Sequence, residues 1–178
     1  PGTAVTVKPA AAANSQGEAT ATVTEKALRD AIAQAKTAQA DAIVIAPEVR
    51  GEAGKISVDL PKTGVDSIAK QTGAALKVET GLADITLPAR SLQTLSGQSG
   101  SKVTVSAEAH DGAVRLEVAV DGKAVEKLSG GVIASVPAQT GSVLVVVRAD
   151  GTETIVKKSI ADDRNVLGLL DGSCTVKA

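Results

Sequence analysis

The sequence predicts an α+β, β-rich fold in which repeated strand-helix-strand units are followed by antiparallel hairpins, and three observations carry that expectation. The 178 residues include no Phe, Tyr, Trp or Met, so the core must be built from Val, Ile, Leu and Ala. β-Branched side chains suit a pleated, half-buried surface. Residues 56–105 run one short pattern twice: an alternating strand ending in Leu-Pro, a brief helix closed by Gly, then another alternating strand. After His110 the punctuation changes to four Asp-Gly pairs, at 111–112, 121–122, 150–151 and 171–172, each flanked by β-rich runs. Asp-Gly accepts the positive φ angles of tight hairpin turns.

Taken in order, residues 1–18 read as a linker or an edge strand. Ala10 to Ala13 and Asn14-Ser15-Gln16-Gly17 have linker composition, while Thr3 to Val7 suits an edge strand. Ala19 to Val23 alternates. Thr24 then stands at an N-cap position ahead of Glu25 and a helix with Ala27, Leu28, Ala31, Ile32 and Ala35 on one face. Asp41 to Ile45 follows as a strand ended by Pro47.

The first full repeat is Ile56-Ser57-Val58-Asp59-Leu60-Pro61, a helix around Val65, Ile68 and Ala69 ending at Gly73, and Leu76 to Thr80. The second is Asp84-Ile85-Thr86-Leu87-Pro88, a helix around Leu92 and Leu95 ending at Gly97, and Lys102 to Val105. Proline has a pre-set φ and needs no donor in a first turn, and a left-handed glycine ends a helix. Val143 to Val147 is apolar throughout and reads as a central strand covered on both faces, with Arg148 as its gatekeeper. The domain expectation is a strand-helix-strand lobe at 19–109 and a hairpin lobe at 110–178, set end to end in an elongated body or fused into one domain.

Composition narrows function by exclusion. Nineteen basic and twenty acidic residues leave a formal charge of −1, with no net field toward nucleic acid or an anionic membrane. Single-strand binding and carbohydrate stacking both lack aromatic platforms. No apolar run reaches the roughly 18 residues of a membrane span, so no membrane insertion is expected. The single cysteine, Cys174, rules out an internal disulfide and leaves both cytosol and cell exterior open. With Pro1 in place of an initiator Met, the chain reads as a piece of a longer one.

Several stretches, in this order, resemble a module of secreted surface proteins of Gram-positive bacteria that precedes S-layer-homology repeats. They are Ile56 to Pro61; Leu76-Lys77-Val78-Glu79-Thr80-Gly81 running on to Ile85-Thr86-Leu87-Pro88; Leu116 to Lys123; Gly130-Gly131-Val132-Ile133-Ala134-Ser135-Val136-Pro137; and Val156 to Ser159, followed by Leu169 to Ser173 and Thr175-Val176-Lys177. The resemblance implies an extracellular location at the cell surface or cell wall, with neighbouring domains of the same protein as partners. Binding of secondary cell-wall polymer belongs to the absent repeats and is not transferred. Some related modules close on a His-Phe-Ser stretch resembling self-cleaving sites. Here the closing segment is Leu170-Asp171-Gly172-Ser173-Cys174-Thr175, so that activity is not transferred either.

Each chemical candidate has a plainer reading. Cys174 with His110 would make a thiolate pair if the fold joined them, and Ser173 beside them would complete a hydrolase or self-processing set. Both Cys174 and His110 adjoin expected turns, and two ligands are too few for zinc. Gly51-Glu52-Ala53-Gly54-Lys55 lacks the first Gly and the final Ser or Thr of a phosphate loop. Gly97-Gln98-Ser99-Gly100-Ser101 misses the last Gly of a nucleophile elbow. Asp162-Asp163-Arg164-Asn165 offers oxygen ligands for Ca²⁺ without EF-hand spacing. The expectation is therefore no catalytic, cofactor or metal site, and a non-enzymatic extracellular spacer or structural module of an S-layer-associated protein. The alternative is a protein-binding adhesin or assembly module that offers a long, exposed strand edge to a partner.

Overall fold

The structure is a computed structural model, and it describes residues 3–138, 142–156, 159–161 and 165–178. Over these described residues it is β-rich, with three helices and mixed sheets.

The N-terminal part is two stacked coils. The first consists of β1 (Ala4–Val7), β2 (Ala10–Ala12), β3 (Glu18–Thr22) and α1 (Glu25–Ala38). The second consists of β4 (Ala42–Ile45), β5 (Glu48–Arg50), β6 (Lys55–Pro61) and α2 (Lys62–Gln71). Each strand of the first pairs in parallel with its counterpart: Val5 with Ile43, Ala11 with Val49, Ala21 with Val58. The expected linker at Ala10 to Ala13 is thus partly a strand, with Ala11 buried. Methyl side chains let it lie against β3 without lateral room.

Thr24 caps α1 as expected, its Oγ1 accepting from the Ala27 amide at 3.1 Å, and Leu28, Ala31, Ile32 and Ala35 are buried. Thr24→Ala should cost about 1 kcal/mol, read as a lower urea midpoint at unchanged slope. The other two helices begin on Pro61 and Pro88, which hold extended ψ and give no side-chain cap bond. Neither expected glycine ends its helix in a left-handed conformation. Gly97 is right-handed at φ −78, and α2 is closed by Thr72, whose hydroxyl donates to Ile68 O at 2.7 Å. The left-handed helix cap is Gln39, at φ 51.

The third strand-helix-strand unit runs the opposite way. In the first two, the helix carries the chain from the sheet holding β3 and β6 to the sheet holding β4 and β7 (Ala75–Glu79). A tight turn then reverses it. Thr80 Oγ1 accepts from the amides of Leu82 and Ala83 and donates to Ala83 O, with Gly81 at φ 88. β8 (Asp84–Leu87) therefore runs antiparallel to β7, and α3 (Ala89–Ser96) returns the chain to β9 (Lys102–His110) in the other sheet.

The remaining strands are β10 (Ala113–Val120), β11 (Lys123–Ala124), β12 (Val132–Pro137), β13 (Val145–Val147), β14 (Glu153–Ile155), β15 (Ser159–Ala161), β16 (Asn165–Leu170) and β17 (Cys174–Lys177). Among the described residues one sheet has seven strands in the order β1-β4-β7-β8-β12-β16-β15, and the other has eight, seven of them in the order β14-β13-β17-β10-β9-β6-β3 and the eighth, β11, paired with β10 off that path. Both sheets cross the expected junction at 109–110, through the β8–β12 and β9–β10 ladders. The aliphatic core likewise takes residues from both parts, Leu28, Ile45, Leu60 and Val105 together with Leu116, Val132, Val166 and Val176.

Two of the four Asp-Gly pairs make the expected hairpin turn with both residues at positive φ: Asp111-Gly112 (50, 78) and Asp121-Gly122 (51, 82). The pair at 150–151 also turns a hairpin, between β13 and β14, with only the glycine at positive φ and Asp150 Oδ1 accepting from the Thr152 amide. Asp171-Gly172 is not a hairpin, because β16 and β17 belong to different sheets. The expected central strand at Val143 to Val147 lies one place from an edge. β13 spans only Val145–Val147, all half-buried, and Val143 is 45% exposed. Its outer face is open to solvent, so an unbroken apolar run here does not mean cover on both sides.

Candidate functional site

The only histidine and the only cysteine lie on opposite sides of β10. Register places His110 across from Ala113 and Cys174 across from Leu116. Those partners are three residues apart on β10, so the two side chains emerge on opposite faces of the sheet. They are separated by roughly 10 Å along the strands and roughly 10 Å across them. His110 is 82% exposed, with Nε2 3.1 Å from Asp111 Oδ2. It borders a depression of about 420 Å³ beside Glu108, Arg115, Thr175 and Lys177. The pair needed for a thiolate nucleophile is not assembled.

Cys174 shares the core-facing side of the sheet with Leu116. Burial is the main cause that pushes its thiol up, to about 11. At pH 8 only about one molecule in a thousand then carries a thiolate. Iodoacetamide should label Cys174 slowly in the folded protein, and the rate should climb about tenfold per pH unit until near pH 11. Urea-unfolded chain should react at the ordinary rate. Because the folded value lies above the unfolded one, the associated stability is complete below about pH 9 and is lost as pH rises through about 11.

Ser173 is buried and fully occupied. Its Oγ accepts from the Val118 amide at 2.9 Å and donates to Val118 O at 3.1 Å, filling the place of a strand residue beside β10. A hydroxyl committed on both sides is a poor nucleophile. The loop around Gly51 to Lys55 leads into strand β6 rather than a helix, so no helix N-terminus faces it. Gly97 to Ser101 leads from a helix to a strand, the reverse of a nucleophile elbow. Of the acidic cluster at 162–165, residues 162–164 lie outside the described residues, and Asn165 begins β16. Among the described residues no three of His, Cys, Asp and Glu gather as metal ligands.

Two features were not legible beforehand. The first is Lys62, 2% exposed and among the largest fully buried side chains. Its Nζ donates to Asp66 Oδ1 at 2.8 Å and to Gln98 O at 2.7 Å, and its backbone amide donates to Ser101 O at 2.9 Å. It therefore ties the start of α2 to the segment joining α3 and β9. The Lys62–Asp66 spacing of four residues was a visible signal; the carbonyl of Gln98 was not. The second is a groove of about 300 Å³ between α1 and α2, lined by Arg29, Ile32, Lys36, Thr63 and Ser67. Gly64 sets the approach of the two helices, since a Cβ there would fall 2.3 Å from Leu28 Cδ2. Lys36 Nζ reaches Gln71 Oε1 across the groove at 3.4 Å. These groups can hold water or a small polar molecule.

No helix among the described residues is long and apolar enough to cross a membrane. The chain matches no family model, no curated protein and no solved structure.

Proposed function

We propose that this chain is a non-enzymatic structural module, a spacer within an extracellular, S-layer-associated protein of a bacterial cell surface. The observation that carries the structural part is the way both sheets draw strands from the two parts of the chain over one aliphatic core. Both terminal strands of such a block are laddered into its sheets. β1 is held by β4, and β17 is held between β10 and β13. The separation of His110 from Cys174 and the double occupation of Ser173 support the non-enzymatic part. The surface location rests on the ordered resemblance alone.

The spacer is then a single block, and scattering from the isolated chain should give a radius of gyration of about 16 Å. The location is tested by protease treatment of intact cells of the source organism, with the full-length gene read for a secretion signal and S-layer-homology repeats. Surface cleavage with either feature supports the reading. A cytoplasmic protein with neither overturns it.

A further inference from the structure

No edge strand of the two large sheets is longer than five residues among the described residues, so the long edge an adhesin would offer is not present. The exposed reactive chemistry lies in the turns instead. Each of the four Asp-Gly pairs sets a side-chain carboxyl beside an amide nitrogen whose own residue carries no Cβ to shield it. That nitrogen reaches the carboxyl carbon and closes a five-membered ring only where neither group is held by something else.

Three of the pairs are held. Both carboxylate oxygens of Asp121 accept from the Ser101 amide, at 3.0 and 3.2 Å, and Oδ1 also accepts from the Lys102 amide at 2.9 Å. Asp150 Oδ1 accepts from the amide and the hydroxyl of Thr152, at 2.9 and 2.6 Å, while the Gly151 nitrogen donates to Arg148 O. At Asp171-Gly172 the backbone is pinned on both flanks, Asp171 O to the Leu128 amide and the Ser173 amide to Val125 O, and Gly172 lies against the Glu126 carbonyl. Asp111-Gly112 differs from all three. The Asp111 side chain is 88% exposed, and its one polar partner among the described residues is the His110 ring, itself 82% exposed, with Nε2 3.1 Å from Oδ2. The Gly112 nitrogen has no hydrogen-bond partner among the described residues, and the space beside Gly112 is open.

We propose that Asp111-Gly112 is a site of spontaneous covalent modification, at which aspartate isomerises to isoaspartate through a cyclic imide with water as the only co-reactant. The Gly112 nitrogen bonds to Asp111 Cγ, the Cγ–OH bond breaks, and the amide proton leaves with the hydroxyl as water. Water then adds to one of the two ring carbonyls. Breaking N–Cγ restores aspartate; breaking the bond from the nitrogen to the old main-chain carbonyl leaves isoaspartate, with the chain routed through Cγ. Mass and oxidation state are unchanged overall. The product has one more backbone atom in a two-residue turn, so it disturbs the His110–Ala113 end of the β9–β10 ladder and moves a carboxylate at the rim of the depression beside Glu108, Arg115 and Lys177. The mark accumulates with the age of the molecule. The inference goes beyond the spacer reading and does not depend on the protein's location.

The test incubates the folded 178-residue chain in mildly acidic heavy-oxygen water, then digests it with trypsin in ordinary water. Each opening of the ring leaves one heavy oxygen, and the four pairs fall in separate peptides, 103–115, 116–123, 149–157 and 165–177. Peptide 103–115 should gain label about tenfold faster than any of the other three, because local freedom of the reacting groups sets the rate. The labelled fraction should include an isomer of equal mass that separates on chromatography. In urea the four peptides should label at comparable rates. Asp111→Glu keeps the carboxyl but needs a six-membered ring, and should abolish the label in 103–115. Equal labelling of the four peptides in the folded chain, a different peptide in the lead, a lead of 103–115 that persists in urea, or label that survives Asp111→Glu would each overturn the proposal.

Discussion

Lys62→Ala should lower the unfolding free energy by about 3 kcal/mol, read as a fall in the urea midpoint at unchanged slope. The substitution removes the Nζ donor, leaving Gln98 O and Asp66 Oδ1 without their bonds, and empties a site that is 2% exposed. Lys62→Met keeps most of the aliphatic stem and loses only the ammonium. Asp66, 22% exposed, can recover water, so this variant should cost about half as much. The comparison separates packing from hydrogen bonding. A Lys62→Ala protein within about 0.5 kcal/mol of the parent would show that the ammonium does not hold α2 to the segment after α3.

Gly172→Ala should be comparably damaging, by about 3 kcal/mol, for an unrelated reason. A Cβ at this position would lie 2.5 Å from Glu126 O and 2.7 Å from Glu126 C, and both are backbone atoms that cannot rotate aside. The surrounding strap is fixed on each flank: the Leu128 amide donates to Asp171 O at 2.8 Å and the Ser173 amide to Val125 O at 3.0 Å. The control is Gly112→Ala, where a Cβ meets nothing within 4 Å and the cost is that of positive φ alone, about 1 kcal/mol. Equal losses at the two positions, measured by urea unfolding, would refute the steric account.

Those two glycines show where reading the sequence stops. Asp111-Gly112 and Asp171-Gly172 are the same dipeptide between β-rich runs, and the sequence predicts a hairpin at each. At the first, β9 and β10 are neighbours and the turn forms. At the second, the chain changes sheets and the glycine is required by a backbone contact with residue 126. Turn chemistry is local, whereas a close approach between chain segments is not encoded within a window of a few residues. The same limit hid Lys62. Its i, i+4 partner Asp66 is visible in the sequence, but only the folded chain brings Gln98 O to the ammonium.

By itself, the sequence determined the β-rich α+β class, the Thr24 cap, the buried stripe of α1 and the three hairpins at Asp111, Asp121 and Asp150. Each follows from the period of apolar residues, 2 in strands and 3.6 in helices, or from side chains acting on their own backbone. The tertiary structure alone decided direction and partnership. Three strand-helix-strand units look alike in sequence, yet the third runs backward because the Thr80 turn reverses the chain before it. An alternating strand specifies which face it buries, not which neighbour it pairs with. The sharing of both sheets across residue 110 and the parting of His110 from Cys174 by β10 therefore appear only once every strand has taken its place.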